Sequence, residues 1–165
     1  MKMRVTRDGI TYYTARISGV GVIEDSGRFL VTMASGETDL VLVVNRFEAT
    51  AIRLALDCNK PPRPLIHDLV AKTMVGSSTR AEVLISELVD GTFIGQLIYS
   101  EPEKETLTRI DCRPGDAIAV ALRVVGCQIL VTEEVLQHAD GLIVAMLEEA
   151  SADQCAGCGA KEEQP

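Results

Sequence analysis

The sequence predicts an α+β fold in which antiparallel β-hairpins and sheets pack against α-helices, and three observations support this prediction. Apolar or alternating segments of strand length occur in pairs separated by turn residues, which is typical of hairpins. Segments with apolar residues at three- and four-residue spacing follow these pairs and indicate amphipathic helices. The 165 residues are 47% hydrophobic and 24% charged, which excludes a disordered chain and fits an ordinary globular domain.

The first half of the chain begins with a predicted hairpin. Its strands cover residues 14–21 and 28–34, and the turn signal Glu-Asp-Ser-Gly at 24–27 separates them. A further turn leads into an apolar segment at 39–44, which predicts a buried third strand. Three consecutive strands are therefore expected before the first helix.

Two helices follow in the first half. Asn45 has the side chain of a helix cap, and the apolar spacing from Arg46 onward predicts an amphipathic helix. This helix has to end by Asn59, because three prolines follow within five residues. Helical spacing resumes over residues 65–74 and predicts the second helix.

The second half repeats this order. Strands are predicted at 81–88, 93–99 and 107–112, with Asp90-Gly91 as a hairpin turn. A helix is predicted to open at Pro114, because proline at the first turn lacks only a donor that the helix does not use. A short strand at 128–131 and the start of another helix at Thr132 complete the predicted elements.

The two predicted halves share a local pattern. The motif Ala-Ile-x-x-Ala-Leu occurs at 51–56 and again at 117–122, each time after three strands. Internal duplication of a β-β-β-α unit explains the pattern, although any packed helix could also produce it. We expect one domain over residues 1–150, followed by a flexible acidic tail over residues 151–165.

The charge of the chain is unevenly distributed. Residues 1–80 carry 11 basic and 8 acidic side chains, whereas residues 81–165 carry 5 basic and 16 acidic ones, which gives a net charge of −8. This acidity and the 4% of aromatic residues argue against a strong nonspecific nucleic-acid binder. A mildly basic face on the first half and simple solvation of the second half by its acidic residues both remain open.

The cysteines and the apolar segments bear on the compartment. The number of cysteines is five, an odd number, and three of them lie in apolar or strand-like contexts, which is typical of a reducing compartment. No signal peptide is visible, and no apolar segment reaches the roughly 18 residues of a membrane span. We expect a cytoplasmic protein of bacterial type that has no contact with a membrane.

The tail contains one Cys-x-x-Cys motif. Cys155 and Cys158 could supply two of the four ligands of a structural Zn²⁺, or they could form a redox pair. Since no second pair follows, zinc would require cysteines from another subunit or His138. A tail without bound metal is the simplest interpretation.

The first cluster with candidate chemistry precedes the second helix. Arg63 lies between two prolines, and His67 and Asp68 belong to the first turn of the helix. His67 could act as a general base or metal ligand, and Asp68 could orient it or bind a hard cation. The alternative is local structure, in which Asp68 caps the helix, His67 bonds to the backbone and Arg63 forms an ion pair.

The second cluster surrounds the start of the helix at Pro114. Asp111 ends a predicted strand, while Arg113 and Asp116 begin the helix, so that two carboxylates and an arginine could converge there. Two carboxylates could bind Mg²⁺ or Mn²⁺ and activate water, and the arginine could stabilise charge on a phosphodiester. A helix-capping turn with an Arg–Asp pair is the alternative.

Several ungapped motifs, in order, resemble the bifunctional nuclease domain family. They are PPRPLIHDL, VLISELVDGTF, IDCRPGDAIAVALR and QILVTEEVL, together with Glu48-Ala49-x-Ala51-Ile52 upstream, and they cover roughly residues 12–140. The resemblance implies a compact α+β domain and hydrolysis of phosphodiester bonds in RNA or DNA. By position in its motifs, the residues it implies for the site are Arg63, His67, Asp68, Asp111, Arg113 and Asp116.

Three departures from the family pattern stand out. Gly115 replaces the serine of the motif D-x-R-P-S-D-A-I, which removes a hydroxyl that could cap the helix or bind substrate. Residues 43–47 read VVNRF where the family more often has P-I-W-I-G. Ile94 and Gly95 stand where an aromatic residue and alanine are usual.

Two functions are therefore weighed. The first is a metal-assisted nuclease, in which Asp111 and Asp116 bind Mg²⁺ or Mn²⁺, His67 is the base, and Arg63 or Arg113 binds the phosphate. Its contact with nucleic acid would be weak or metal-dependent, given the acidic charge. The second is a non-catalytic regulatory or ligand-binding module on the same fold. A homo-oligomer is expected under either function, because short strands often complete their sheets by self-association.

Overall fold

A computed structural model describes residues 4–7, 9–23, 27–77, 80–90, 92–100 and 107–138. These residues form eight strands and four helices. The strands are β1 (Arg4–Arg7), β2 (Ile10–Ile23), β3 (Arg28–Ser35), β4 (Thr38–Val44), β5 (Arg80–Val89), β6 (Thr92–Ser100), β7 (Leu107–Cys112) and β8 (Gln128–Thr132). The helices are α1 (Arg46–Leu56), α2 (Ile66–Ser77), α3 (Pro114–Ala121) and α4 (133–138).

The strands form one sheet in the order β4-β3-β2-β8-β5-β6-β7, and β1 pairs with β2. All pairs are antiparallel except β5 with β8, which run parallel. The α+β prediction with mostly antiparallel strands is thus confirmed. Each half contains three consecutive antiparallel strands followed by a helix, as the predicted β-β-β-α repeat requires.

Strands β2 and β8 join the two halves into one sheet. The first part of β2 pairs with β1 and β8, and from Arg16 onward it pairs with β3, with a bulge between Ile17 and Gly19. Strand β8 lies between β2 and β5, and four of its five residues are buried. Its nearly continuous apolar sequence suits a central strand that is covered on both faces.

The ends of α1 follow the predicted signals. Asn45 accepts hydrogen bonds from the backbone N–H groups of Phe47 at 2.8 Å and Glu48 at 2.9 Å, while its own N–H donates to Glu48 Oε2 at 2.8 Å. This reciprocal capping box satisfies N–H groups that the first turn of a helix leaves free. Helix α1 ends at Leu56, ahead of the prolines.

Helix α3 lies at the centre of the helical layer. It contacts α1 and α2 and packs on β5, β6 and β8. Every one of its residues from Ala117 to Ala121 is buried. It is therefore enclosed on all sides, which small side chains make feasible at close helix–helix distances.

A glycine in β6 allows α3 to begin close to the sheet. A Cβ at Gly95 would lie 2.9 Å from the carbonyl oxygen of Cys112 and 2.9 Å from the backbone nitrogen of Pro114. Both atoms belong to the backbone and cannot rotate away. Gly95 therefore allows the start of α3 to lie close to β6. The direction that a Cβ at Gly95 would take shows that this side of β6 faces α3.

Some features differ from the prediction or lie outside the described residues. Strand β1 was not predicted, and β2 starts at Ile10 rather than at residue 14. Most of the first hairpin turn, residues 24–26, and the tail from 151 onward lie outside the described residues, so the division at residue 150 stays a prediction. Within the described ranges, no helix combines the length and apolar character needed to cross a membrane.

Candidate functional site

His67 and Asp116 form the centre of the candidate site. They belong to the first turns of α2 and α3, and the distance between His67 Nε2 and Asp116 Oδ1 is 3.0 Å. The two residues are 49 positions apart in the chain. The fold thus joins the two motif clusters that the sequence singled out separately.

The two members of this pair differ in exposure. The side chain of His67 is 12% exposed and that of Asp116 is 45% exposed. The other ring nitrogen of His67, Nδ1, is buried and has no hydrogen-bond partner among the described residues. Because a carboxylate oxygen accepts hydrogen bonds, the contact is a hydrogen bond in the forms of His67 that carry a proton on Nε2. Asp116 is therefore the member of the pair that meets solvent.

Both carboxylate oxygens of Asp68 accept hydrogen bonds from the protein itself. Its Oδ2 accepts from the backbone N–H of Leu65 at 2.7 Å, and its Oδ1 accepts from Arg123 Nε at 2.7 Å. Burial acts to raise the pKa of Asp68, but the hydrogen bonds from Leu65 and Arg123 outweigh it and hold the pKa below its ordinary value. Both oxygens are engaged, as the helix-capping alternative for Asp68 expects.

Arg123 is the last residue of the motif IDCRPGDAIAVALR, but the sequence pattern assigned no role to it. Besides Asp68 it donates to the carbonyl oxygens of Ala119 at 2.7 Å and Ala51 at 3.1 Å, and its side chain is 10% exposed. One guanidinium thus connects α1, α2 and the end of α3. A single arginine after an apolar helix gives no such signal in the sequence, because its partners come from three separate segments.

Arg63 and Arg113 are placed differently from Arg123. Both are exposed, and neither side chain has a hydrogen bond or ion pair within the described part of the chain. Arg113 immediately precedes α3 and occupies its N-cap position without capping it through its side chain. The ion pair considered for Arg63 is therefore not seen among these residues, and both guanidinium groups are free to meet an anion.

The structure does not bring Asp111 to the His67–Asp116 pair. Asp111 lies directly opposite Gln96 in the register of β7 and β6. Gln96 is next to Gly95, which faces α3, so Gln96 and Asp111 point to the opposite face of the sheet. The Asp111–Asp116 metal pair stays a prediction without support from this geometry.

The metal sites predicted from the sequence lack a complete ligand set here. Within the described ranges, no group of three or more His, Cys, Asp or Glu side chains could hold a metal ion. The candidate residues therefore do not fit a resident Mg²⁺ or Mn²⁺ held by protein ligands alone. Cys155 and Cys158 lie outside the described residues, so the Zn²⁺ alternative stays open.

Cys112 lies beside the site at the end of β7. Burial raises the pKa of its thiol, a hydrogen bond from the backbone of Leu97 opposes this, and the negative charges of Asp111 and Asp116 raise it further. The thiol is therefore held in its neutral form, which makes Cys112 a packing residue rather than a nucleophile.

Gly115, the departure from the family motif, packs against a helix. A Cβ at this position would lie 2.8 Å from Cδ and 3.0 Å from Cβ of Glu48, whose side chain completes the capping box of α1. The absence of a side chain lets the starts of α1 and α3 approach each other. The change from serine to glycine is thus coupled to packing in this chain as well as to the lost hydroxyl.

A large groove among the described residues lies beside this site. It has a volume of about 840 Å³ and is lined by Asp68, Arg123 and residues of the proline-rich segment, but not by His67 or Asp116. Since Asp68 directly follows His67, the groove and the pair share the first turn of α2.

Comparisons with known proteins identify the family of the chain. A family profile described as "Bifunctional nuclease domain" matches residues 29–143, which include both motifs of the site. Two uncharacterized proteins from two strains of Mycobacterium tuberculosis are each 37% identical to the chain over 133 residues. Each match covers 78% of this chain and 76% of the relative.

Proposed function

Because the chain belongs to the bifunctional nuclease domain family, we propose that it hydrolyses phosphodiester bonds of RNA or DNA at a site centred on Asp116. The observation that carries this proposal is the 3.0 Å hydrogen bond between His67 and Asp116, which unites the family's two polar motifs at one place. Water is the attacking group, and the products are a phosphomonoester and a hydroxyl.

Asp116 is the proposed base. One of its oxygens accepts from His67, and the other has no partner among the described residues, so it is free to accept a proton from the attacking water. His67 is a positioning residue in this scheme, because its Nε2 is engaged and its Nδ1 is buried. The role of base, which the sequence suggested for His67, is therefore assigned to Asp116 in this proposal.

Arg113 and Arg63 are the proposed phosphate ligands. Arg113 lies three residues before Asp116, and Arg63 lies four residues before His67, so each arginine precedes the helix that carries one member of the pair. Free guanidinium groups bind phosphate oxygens through paired hydrogen bonds and stabilise the charge that builds up during attack. Asp68 contributes by holding the start of α2 in place.

The decisive measurement is cleavage of labelled single-stranded RNA and DNA in buffers with Mg²⁺ or Mn²⁺. Asp116→Asn is expected to lose about 100-fold or more of the rate, because the amide cannot accept the proton. His67→Gln is expected to lose about 10- to 100-fold, the value of one hydrogen bond to a charged group. Asp39→Asn, an exposed carboxylate on β4, is the matched control and should cleave like the wild type.

Two results would contradict the proposal. Equal cleavage by wild type and Asp116→Asn would assign the activity to a contaminating nuclease, and an inactive wild type on both substrates would remove the activity itself. Asp111→Asn tests the predicted metal pair separately, since a large loss would place Asp111 in the site despite its position on the other sheet face.

The second candidate function is a non-catalytic regulatory or ligand-binding module. The observation that favours it is that the groove of about 840 Å³ is lined by neither His67 nor Asp116. Under this function the pair would only fix α2 against α3, and an anionic ligand would bind without being cleaved. Ligand binding that survives Asp116→Asn in a protein without cleavage would support it.

Self-association is proposed under either function. The two outer strands of the sheet, β4 and β7, carry exposed apolar side chains, namely Val43, Leu107 and Ile110. Outer strands with apolar side chains favour pairing with another chain. Light scattering of the full chain in solution measures the oligomeric state directly, and a monomer at all concentrations would reject this expectation.

A further inference from the structure

The groove beside the site combines positive charge with a rigid wall. Its cationic side chains are Lys60, Lys72, Arg80 and Arg123, and its one acidic side chain is Asp68. The lining thus has a net charge of +3 on a chain whose total is −8. We call the surface formed by these five residues the basic groove.

Three of these cations are available to a ligand. Lys60 and Lys72 are exposed and form no ion pair within the described ranges. The side chain of Arg80 is 59% exposed and forms an ion pair with Glu82, which also pairs with Arg7. Because two guanidinium groups share one carboxylate, this group of three side chains has a net positive charge. Arg123, in contrast, is 10% exposed and spends its donors on Asp68 and two carbonyl groups.

The wall and the lining chemistry narrow the class of ligand. Pro61, Pro62 and Pro64 restrict the backbone of one wall, which lowers the conformational entropy that this wall loses when a ligand binds. The described lining contains no aromatic side chain, so it offers no platform on which a base could stack. A ligand is therefore recognised by its negative charges.

We propose that the basic groove binds the phosphodiester backbone of a single nucleic-acid strand beside the bond to be cleaved. Lys60, Lys72 and Arg80 contact successive phosphates, and the bases make little contribution. The inference rests on the proposed function, because Asp68 of the groove adjoins His67 of the site and the two surfaces serve one strand. It also assigns a location to the excess of positive charge in residues 1–80.

The first test is binding without cleavage. Fluorescence anisotropy of a labelled oligonucleotide of about ten nucleotides is followed with the full-length protein in EDTA over a range of salt concentrations. Lys60→Gln and Lys72→Gln are each expected to weaken binding about three- to tenfold at low salt and to reduce the slope of log K against log salt by about 0.7. Arg109→Gln removes an exposed cation from β7, outside the groove, and should bind within about twofold of wild type.

Base independence is measured with the same assay. Homopolymers of thymine and of adenine are expected to bind within about threefold of each other, because the contacts are made to phosphates. A preference above about tenfold would contradict backbone recognition. Equal loss in Arg109→Gln and the groove variants would also overturn the proposal, since binding would then follow only the total charge.

A second readout does not depend on affinity. Cys58 lines the basic groove and is exposed, whereas Cys112 and Cys127 are partly buried. Saturating oligonucleotide is expected to slow alkylation of Cys58 several-fold, as followed by peptide mass spectrometry, while Cys112 and Cys127 serve as internal references. Unchanged alkylation of Cys58 at saturation would overturn the proposal.

The outcomes separate this inference from the proposed function. If the double variant Lys60→Gln/Lys72→Gln binds and cleaves like the wild type, the proposed role of the basic groove is rejected and the proposed nuclease activity stands. If the protein cleaves neither substrate but its binding depends on Lys60 and Lys72, the proposed role of the basic groove stands and the proposed nuclease activity is rejected.

Discussion

Arg123 donates its Nε proton to Asp68 over 2.7 Å, and the same guanidinium reaches carbonyl oxygens of α1 and α3. This pair fixes the start of α2 relative to the central helix α3. Because His67 is the residue before Asp68, the pair also sets where His67 meets Asp116. The geometry of the site therefore depends on an arginine that has no role in the proposed reaction.

Replacement of Arg123 tests this dependence. Arg123→Lys is expected to lower the free energy of unfolding by about 2 kcal/mol, because an ammonium cannot match three donors directed at fixed acceptors. Arg53→Lys is the control, since the side chain of Arg53 is exposed and makes one described hydrogen bond, to the carbonyl oxygen of Val20; a change in the free energy of unfolding within about 0.5 kcal/mol is expected. Urea unfolding followed by circular dichroism measures both, and equal stabilities would show that the three contacts are dispensable.

Glu82 gives the protein a predicted acid sensitivity. Hydrogen bonds from Arg7 hold the pKa of Glu82 below its ordinary value of 4.5, against the opposing effect of burial, and Arg80 acts in the same direction as Arg7. A carboxyl whose pKa is lowered on folding stabilises the protein above its unfolded value, and this stabilisation is lost as the pH falls through the folded value.

The comparison of wild type with Glu82→Gln measures this contribution. Wild type is expected to be the more stable near pH 7, and the difference should shrink as the pH falls below 4.5 and Glu82 becomes protonated. Urea unfolding at several pH values gives the difference directly. A difference that stays constant down to about pH 2 would show that the ionised form of Glu82 is not what stabilises the fold.

Gly95 is predicted to tolerate no side chain. Gly95→Ala is expected to cost about 1–3 kcal/mol, because its Cβ would overlap backbone atoms of Cys112 and Pro114 at 2.9 Å. Gly21→Ala in β2 makes the same exchange where nothing lies within 4 Å of the new Cβ, so it should be neutral or slightly stabilising. If both variants unfold at the same urea concentration, the close approach of α3 to β6 is not required.

Gly115 couples the site to α1. Gly115→Ser restores the residue usual in the family motif, yet it is expected to cost about 1 kcal/mol or more, because Glu48 occupies the space. Adding Glu48→Ala removes the contacts at Cδ and Oε2, so the double variant should lose less stability than the sum of the single ones. Strict additivity would show that Glu48 and position 115 do not interact.

The order of elements follows from local signals in this chain. Asn45 caps α1 as its side chain predicts, α1 ends before the prolines that follow Asn59, and Pro114 begins α3. These signals depend only on residues that are neighbours in the sequence, so they can be recognised without knowledge of the tertiary structure. Strand β1 was missed because its four residues, Arg-Val-Thr-Arg, give too little pattern.

The pairing of distant elements was decided by the tertiary structure. Nothing local says that β8 inserts between β2 and β5, or that it runs parallel to β5, since the partners of a strand are chosen by burial of both its faces. The same holds for the position of Asp111, because a strand directs successive side chains to opposite faces and the register fixes which face meets α3.

The sequence by itself determined the α+β class, the family and the two clusters that contain His67 and Asp116. Only the tertiary structure decided their exposure and their partners. It buries Nδ1 of His67, leaves Asp116 exposed, commits Asp68 to Arg123 and turns Asp111 to the other face of the sheet. The physical reason is that a side chain's chemistry depends on its exposure and its partners, and in this chain those partners come from segments about 50 residues apart in sequence.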